Sequence, residues 1–181
     1  RIIWDGRSKD AELVQAAEDY PYVFTVTDAL GNVGRKTGKI PVDVLVIREG
    51  DRLKIRISSI TFPAYRSDLV WEDKEASDRN VKILTRLTEI LNKYSSYRIR
   101  IEGHAVSEYW QNAAQAAREE AEELQPLSLK RAEAVRRMLS DLGVDPARLS
   151  TLGLGGKEPV VSHGDIENRW KNRRVEFVLL K

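Results

Sequence analysis

The sequence predicts an α+β fold: a βαβαββ two-layer sandwich with a helical insertion, preceded by a short β segment. Three observations predict it. Alternating apolar and polar residues mark strands at 53–60, 97–103 and 174–180, and helical patterns mark 83–91, 112–124 and a further helix after Ser128. A glycine-rich turn at 152–156 separates two of the later extended segments. Helices alternating with strands in a chain of this size imply a small mixed sheet with helices on one face.

Taken in order, residues 1–50 read as β. "WDGR" (4–7) is a turn-forming entry. "YPYVFTV" alternates Tyr22, Phe24 and Val26 with Val23, Thr25 and Thr27, which suits a strand buried on one face. Gly31-Asn32 marks a turn, and "IPVDVLVI" (40–47) is a second strand. In "LKIRISSI" (53–60), Leu53, Ile55 and Ile57 point one way and Lys54 and Arg56 the other. A polar loop with apolar anchors follows. Ile83, Leu84, Leu87, Ile90 and Leu91 then repeat at helical spacing behind a candidate cap at Asp78. "YRIRIEG" (97–103) alternates again. "NAAQAAREEAEEL" (112–124) is rich in helix formers and places Arg118 four residues before Glu122. Pro126 follows it. Ser128 is a candidate N-cap for a helix that buries Ala132, Val135, Leu139 and Leu142 and ends at Gly143. A short strand, a short helix or turn at "IENRWKNRR", and "RVEFVLL" (174–180) close the chain.

Composition excludes several classes. Apolar residues make up 41% of the 181 and charged residues 32%, a globular profile with a charged surface. The 30 basic and 28 acidic residues leave a net charge of +2, without the basic excess of a dedicated nucleic-acid binder. The absence of cysteine rules out disulfides and thiolate chemistry. No apolar run approaches the roughly 20 residues of a membrane span, so no membrane insertion by this segment is expected. The chain opens on Arg without a signal-peptide pattern and reads as an internal fragment of a longer protein.

Five ordered motifs carry a family resemblance. "ITF" (60–62) resembles a first-strand end, and "IRIEGH" (99–104) a second strand opening a GHTD motif. "LSLKRAEAVRRMLSDLGVD" (127–145) is similar to an LSxxRAxxVxxxLxxxG helix, "LGLGGKEPV" (152–160) to a GxGExxP turn, and "NRRVEFVL" (172–179) to a terminal strand. Together they resemble the OmpA-like C-terminal domain, also seen in peptidoglycan-associated lipoproteins and flagellar stator proteins. The resemblance covers residues 53–181. Residues 1–50 resemble, more loosely, part of an Ig-like module.

The resemblance implies a domain of the periplasmic cell envelope that anchors a membrane protein to peptidoglycan by holding diaminopimelate. In that family an aspartate of GHTD receives the ammonium. An arginine of LSxxRA receives the carboxylate, helped by an asparagine ahead of LS and an arginine of NRR. A zwitterion needs one fixed anion and one fixed cation, and arginine supplies bidentate carboxylate geometry. Here Arg131 and Arg173 match the two arginines. The aspartate position is Val106, the threonine position Ala105 and the asparagine position Leu124. The segment between Val106 and Arg131 is also longer than the family's. With Ser128 as cap, free helix amides beside Arg131 would complete a carboxylate site. The expectation is therefore a half-site with weak or absent peptidoglycan binding.

Other signals read blandly. His104 and His163 show no metal-ligand spacing, so no metal is expected, and each suits a capping or surface role. "GLGGKEP" lacks the GxxxxGK[ST] spacing of a phosphate loop and reads as a turn. Glu119, Glu120, Glu122 and Glu123 read as a solvated helix face that also offers replacements for the lost aspartate. Tyr109-Trp110 reads as a core anchor or, alternatively, an apolar docking point. No nucleophile–base pair or carboxylate pair has readable spacing, so neither an enzyme nor a cofactor is expected. The alternative to peptidoglycan anchoring is a periplasmic structural domain whose partners are other envelope proteins.

Overall fold

The computed structural model describes residues 6–7, 14, 18–42, 46–57, 60–63 and 65–181. Of the predicted "WDGR" turn (4–7), Gly6 and Arg7 lie within them and the other two residues outside. The first two strands, β1 (Glu18–Thr27) and β2 (Val33–Val42), form a separate antiparallel hairpin. Its turn is held by the Asp28 side chain, which accepts from the Leu30 and Asn32 amides at 2.9 Å each, with Gly31 at φ +83°. The strand expected to be buried on one face is not, since Tyr22, Phe24 and Val26 are all exposed. The second strand expected at 40–47 is divided: residues 40–42 end β2, residues 46–47 begin a strand of the other sheet, and 43–45 lie outside the described residues. β2 itself begins at Val33, and its mostly polar stretch "VGRKTGK" is held by register with β1 rather than by burial.

The remaining strands form one five-stranded sheet in the order β3 (Val46–Glu49), β4 (Arg52–Ile57), β7 (Val175–Leu180), β5 (Arg98–Gly103), β6 (Leu149–Gly153). β5 and β6 run parallel, and all other neighbours are antiparallel. From β4 onward the order is βαβαββ, as the sequence predicts. Helices α1 (Lys74–Lys93) and α3 (Gln125–Asp141) close the core with Ile55, Ile57, Leu84, Leu87, Leu91, Ile99, Ile101, Val135, Leu139 and Phe177. Each of these strand residues comes from the apolar half of its alternation.

Two helix starts differ from expectation. The cap of α1 is Asp73, whose carboxylate accepts from the Ala76 amide at 3.0 Å, and Asp78 lies inside the helix. The first turn is polar and invisible to apolar periodicity. Nor does a helix begin at Ser128. Helix α2 (Ala113–Glu119), capped by Asn112, runs through a π turn (Glu120–Leu124) directly into α3. The π turn is the reason Pro126 does not break the run. Proline lacks an N–H and its ring crowds the carbonyl of the preceding turn. The wider turn, with the Gln125 amide bonded to the Glu120 carbonyl, relieves that crowding. The other end is as expected: Gly143, at φ +103°, terminates α3.

Candidate functional site

One cleft of about 380 Å³ collects every position the family motif singled out: Ala105, Val106, Leu124, Arg131 and Arg173 all line it. Three elements bring them together. Strand β5 ends at Gly103 and delivers 104–106. Helix α3 presents Arg131, and the loop before β7 presents Arg173. Phe62 and Tyr65 from the 60–73 loop complete one wall, and Glu108, Tyr109, Glu119 and Glu123 of the insertion complete another.

Arg131 is buried, yet it has no carboxylate partner among the described residues. Its Nε donates to the Arg66 carbonyl at 3.0 Å and its Nη2 to the Pro63 carbonyl at 3.2 Å. The guanidinium carbon lies 5.0 Å from the Phe62 ring centroid. Burial lowers its pKa to about 10, and the nearby charge of Arg173 adds to that. An anion entering the cleft would relieve both effects. The loop that holds Arg131 is itself pinned from α1. Asn80, fully buried, accepts from the Thr61 amide and donates to the Thr61 and Leu69 carbonyls.

The expected helix amides do not contribute. Ser128 is mid-helix, and its hydroxyl donates to the Gln125 carbonyl and accepts from the Gly155 amide at 2.9 Å. Arg131 therefore acts without a helix N-terminus.

The ammonium half of the site is apolar. Val106, Ala105 and Leu124 are 9%, 4% and 7% exposed, and none offers a side-chain acceptor. Of the candidate replacement acids, Glu119 is not on a solvated face. It is buried, and its carboxylate accepts from the Ser107 hydroxyl (2.7 Å) and the Glu108 and Tyr109 amides (3.0 and 3.3 Å). Glu120 accepts from the Gly156 amide at 2.8 Å, and Glu122 pairs with Arg118 at 2.9 Å. Glu108 pairs with Arg169 at 3.2 Å. Glu123 lies at the exposed rim. Of these acids, Glu119 is the one that holds the 107–109 loop. Tyr109 and Trp110 stay exposed, with the Trp110 ring over Gly164, rather than anchoring the core.

Beneath the cleft lies a charge network that sequence alternation missed. Glu102 and Glu176 face each other across β5 and β7, both fully buried. Glu176 is held by Arg174 at 2.6 Å and Lys54 at 2.9 Å, and Glu102 by Arg100 at 2.6 Å. His104 is buried beside them, its Nε2 3.9 Å from Glu176, which corrects the capping or surface reading. Glu102, His104 and Glu176 converge closely enough to suggest a metal site. Three cations already match the two carboxylates, so a dication would add charge of the wrong sign. His163 bridges two loops, its Nδ1 accepting from the Ser107 amide and its Nε2 donating to the Gly156 carbonyl. Asn172 was also unread: fully buried, it accepts from the Val160 and Val161 amides and donates to the Val161 carbonyl.

The described residues thus make a βαβαββ sandwich with two arginines lining an open cleft. The chain belongs to the OmpA family, which it matches over residues 62–173. It is 27% identical over 137 residues to the probable lipoprotein YiaD of Escherichia coli K12, covering 75% of this chain and 55% of that protein. It is 35% identical over 100 residues to the peptidoglycan-associated lipoprotein of Agrobacterium fabrum, covering 53% of this chain and 49% of that one. It therefore spans about half the length of these relatives. The periplasmic domain of Helicobacter pylori MotB shares the fold, with a TM-score of 0.56 at 23% identity over 75% of this chain and 78% of that one. Among the described residues, no helix is long and apolar enough to cross a membrane.

Proposed function

We propose that this chain is a non-enzymatic module of the periplasmic cell envelope, related to domains that anchor membrane proteins to peptidoglycan, in which the diaminopimelate grip is half lost. The carrying observation is the cleft itself. Arg131 and Arg173 line it without an acid partner among the described residues, while the position that should receive the ammonium is Val106. The relative named as a peptidoglycan-associated lipoprotein supports the ligand class. An ammonium left without its partner costs about 1–3 kcal/mol, or about five- to 150-fold in affinity. Isothermal titration with a diaminopimelate stem peptide, and co-sedimentation with purified sacculi, should show weak or no binding. A low-micromolar affinity abolished by Arg131→Ala would overturn the half-site reading.

The second reading is a periplasmic structural domain that contacts other envelope proteins. The exposed Tyr109 and Trp110 at the insertion favour it. Sacculus binding would count against it.

In the same reading, residues 1–50 form a partial Ig-like β segment and residues 53–181 the OmpA-like domain. The separate β1–β2 hairpin, turning at "TDALGN", supports the first part. Strand β3 lies within residues 1–50 and pairs across that division with β4. Deleting residues 1–50 should leave a cooperative thermal transition in the remainder. A molten product would make the two parts one folding unit.

A further inference from the structure

We infer that the cleft selects a carboxylate borne on an apolar body over one borne beside an ammonium; this rests on the reading of Arg131 and Arg173 as an anion site. The two guanidiniums fix where the carboxylate sits. The remaining donors of Arg131 are aimed by the Pro63 and Arg66 carbonyls, so its fork is oriented before any ligand arrives. The floor beside it is Ala105, Val106 and Leu124, with Leu127 one helical turn from Arg131. None of these side chains accepts a hydrogen bond. The Ala105 amide, moreover, is a donor already engaged with the Gly155 carbonyl at 2.7 Å. An ammonium on the same carbon as the bound carboxylate would lie near two guanidiniums and against the side chains of Ala105, Val106 and Leu124, which offer it no acceptor. A methylene in its place meets ordinary apolar contact.

The acids of the cleft do not reverse this. Glu119 already accepts from three donors of the 107–109 loop, which leaves it one lone pair, and Glu108 is paired with Arg169. Glu123 lies at the exposed rim, where water competes for an ammonium.

The test compares two stem peptides that differ in one group, titrated into the full chain. One carries diaminopimelate, and the other carries 2-aminopimelate, which lacks the free ammonium. The des-amino peptide should bind at least tenfold more tightly, and Val106→Asp should reverse the order. Equal or tighter binding of the ammonium-bearing peptide to the unsubstituted chain overturns the inference. If Glu123→Gln then removes that preference, the rim acid is the acceptor. Binding of neither peptide overturns the anion-site reading as well. The comparison on the unsubstituted chain decides the matter even if Val106→Asp does not fold.

Discussion

Replacing Glu176 by alanine is expected to cost about 3–5 kcal/mol, because it removes one partner from a buried charge network and strands the others. Arg174 and Lys54 are each 5% exposed and both contact Glu176 directly. Urea unfolding measures the loss. A second readout separates the network from mere packing. Burial pushes the Glu176 carboxyl up, but the charge and hydrogen bond of Arg174 and the hydrogen bond of Lys54 outweigh it and hold the pKa at about 2, against an ordinary 4.5. A carboxyl depressed on folding stabilises the protein fully above its unfolded pKa, and that stability is lost as pH falls through the folded value. The native chain should therefore lose stability between pH 4.5 and 2, and Glu176→Ala should show a flatter profile in that window. Parallel profiles would mean the network contributes no pH-dependent stability. The network also adjoins the cleft, since Arg174 follows Arg173 and His104 precedes Ala105, so ligand binding should fall together with stability.

Gly103→Ala is expected to destabilise the fold by about 3 kcal/mol, at the upper end of the usual cost of overpacking. A Cβ at Gly103 would overlap the Ser128 carbonyl oxygen. Its neighbour in parallel register, Gly153, is as tight: a Cβ there would sit 2.6 Å from the Gln125 carbonyl oxygen and 2.7 Å from the Leu129 amide nitrogen. In both cases the obstacle is backbone, which cannot rotate aside. The paired glycines let α3 lie directly on the ends of β5 and β6, which sets the height of Arg131 above Ala105 and Val106. Thermal melting should show the loss, and any affinity for carboxylates should fall with it. Gly34→Ala, whose Cβ would meet nothing nearer than 4.0 Å, is the neutral control. A Gly103→Ala chain as stable as that control would mean α3 can rise without penalty.

Much of this architecture is legible from residue order. The βαβαββ succession, the Gly143 stop and the Arg118–Glu122 pair follow from local chemistry acting over one or two turns. The five positions gathered in one cleft are picked out by the family resemblance rather than by local chemistry. What escapes is whatever depends on partners distant in sequence. Alternation assigns Lys54 and Arg100 to a wet outer face, and only pairing across β4, β7 and β5 shows that they neutralise Glu176 and Glu102. Asn80 and Asn172 look like ordinary polar residues until the loops they pin are seen. Ser128 carries a good cap signature, yet the preceding segment is already helical and supplies its amides with carbonyls. The acids of "REEAEE" read alike, and burial alone separates Glu119 from Glu123.

The π turn at Glu120–Leu124 makes the helical run a matter of phase. One extra residue rotates everything before it by about 100° relative to everything after it. In the present phase Glu119 faces the 107–109 loop while Arg131 faces the same cleft from below. A relative that had lost a single residue from this turn would carry the same side chains on a rotated face, with Glu119 turned from its three donors. A relative shortened by about two whole turns would keep the facing and change only the height of the wall. Length variation in this insertion is therefore expected to come in steps set by the helical repeat, and the depth of the cleft to vary with it in discrete steps.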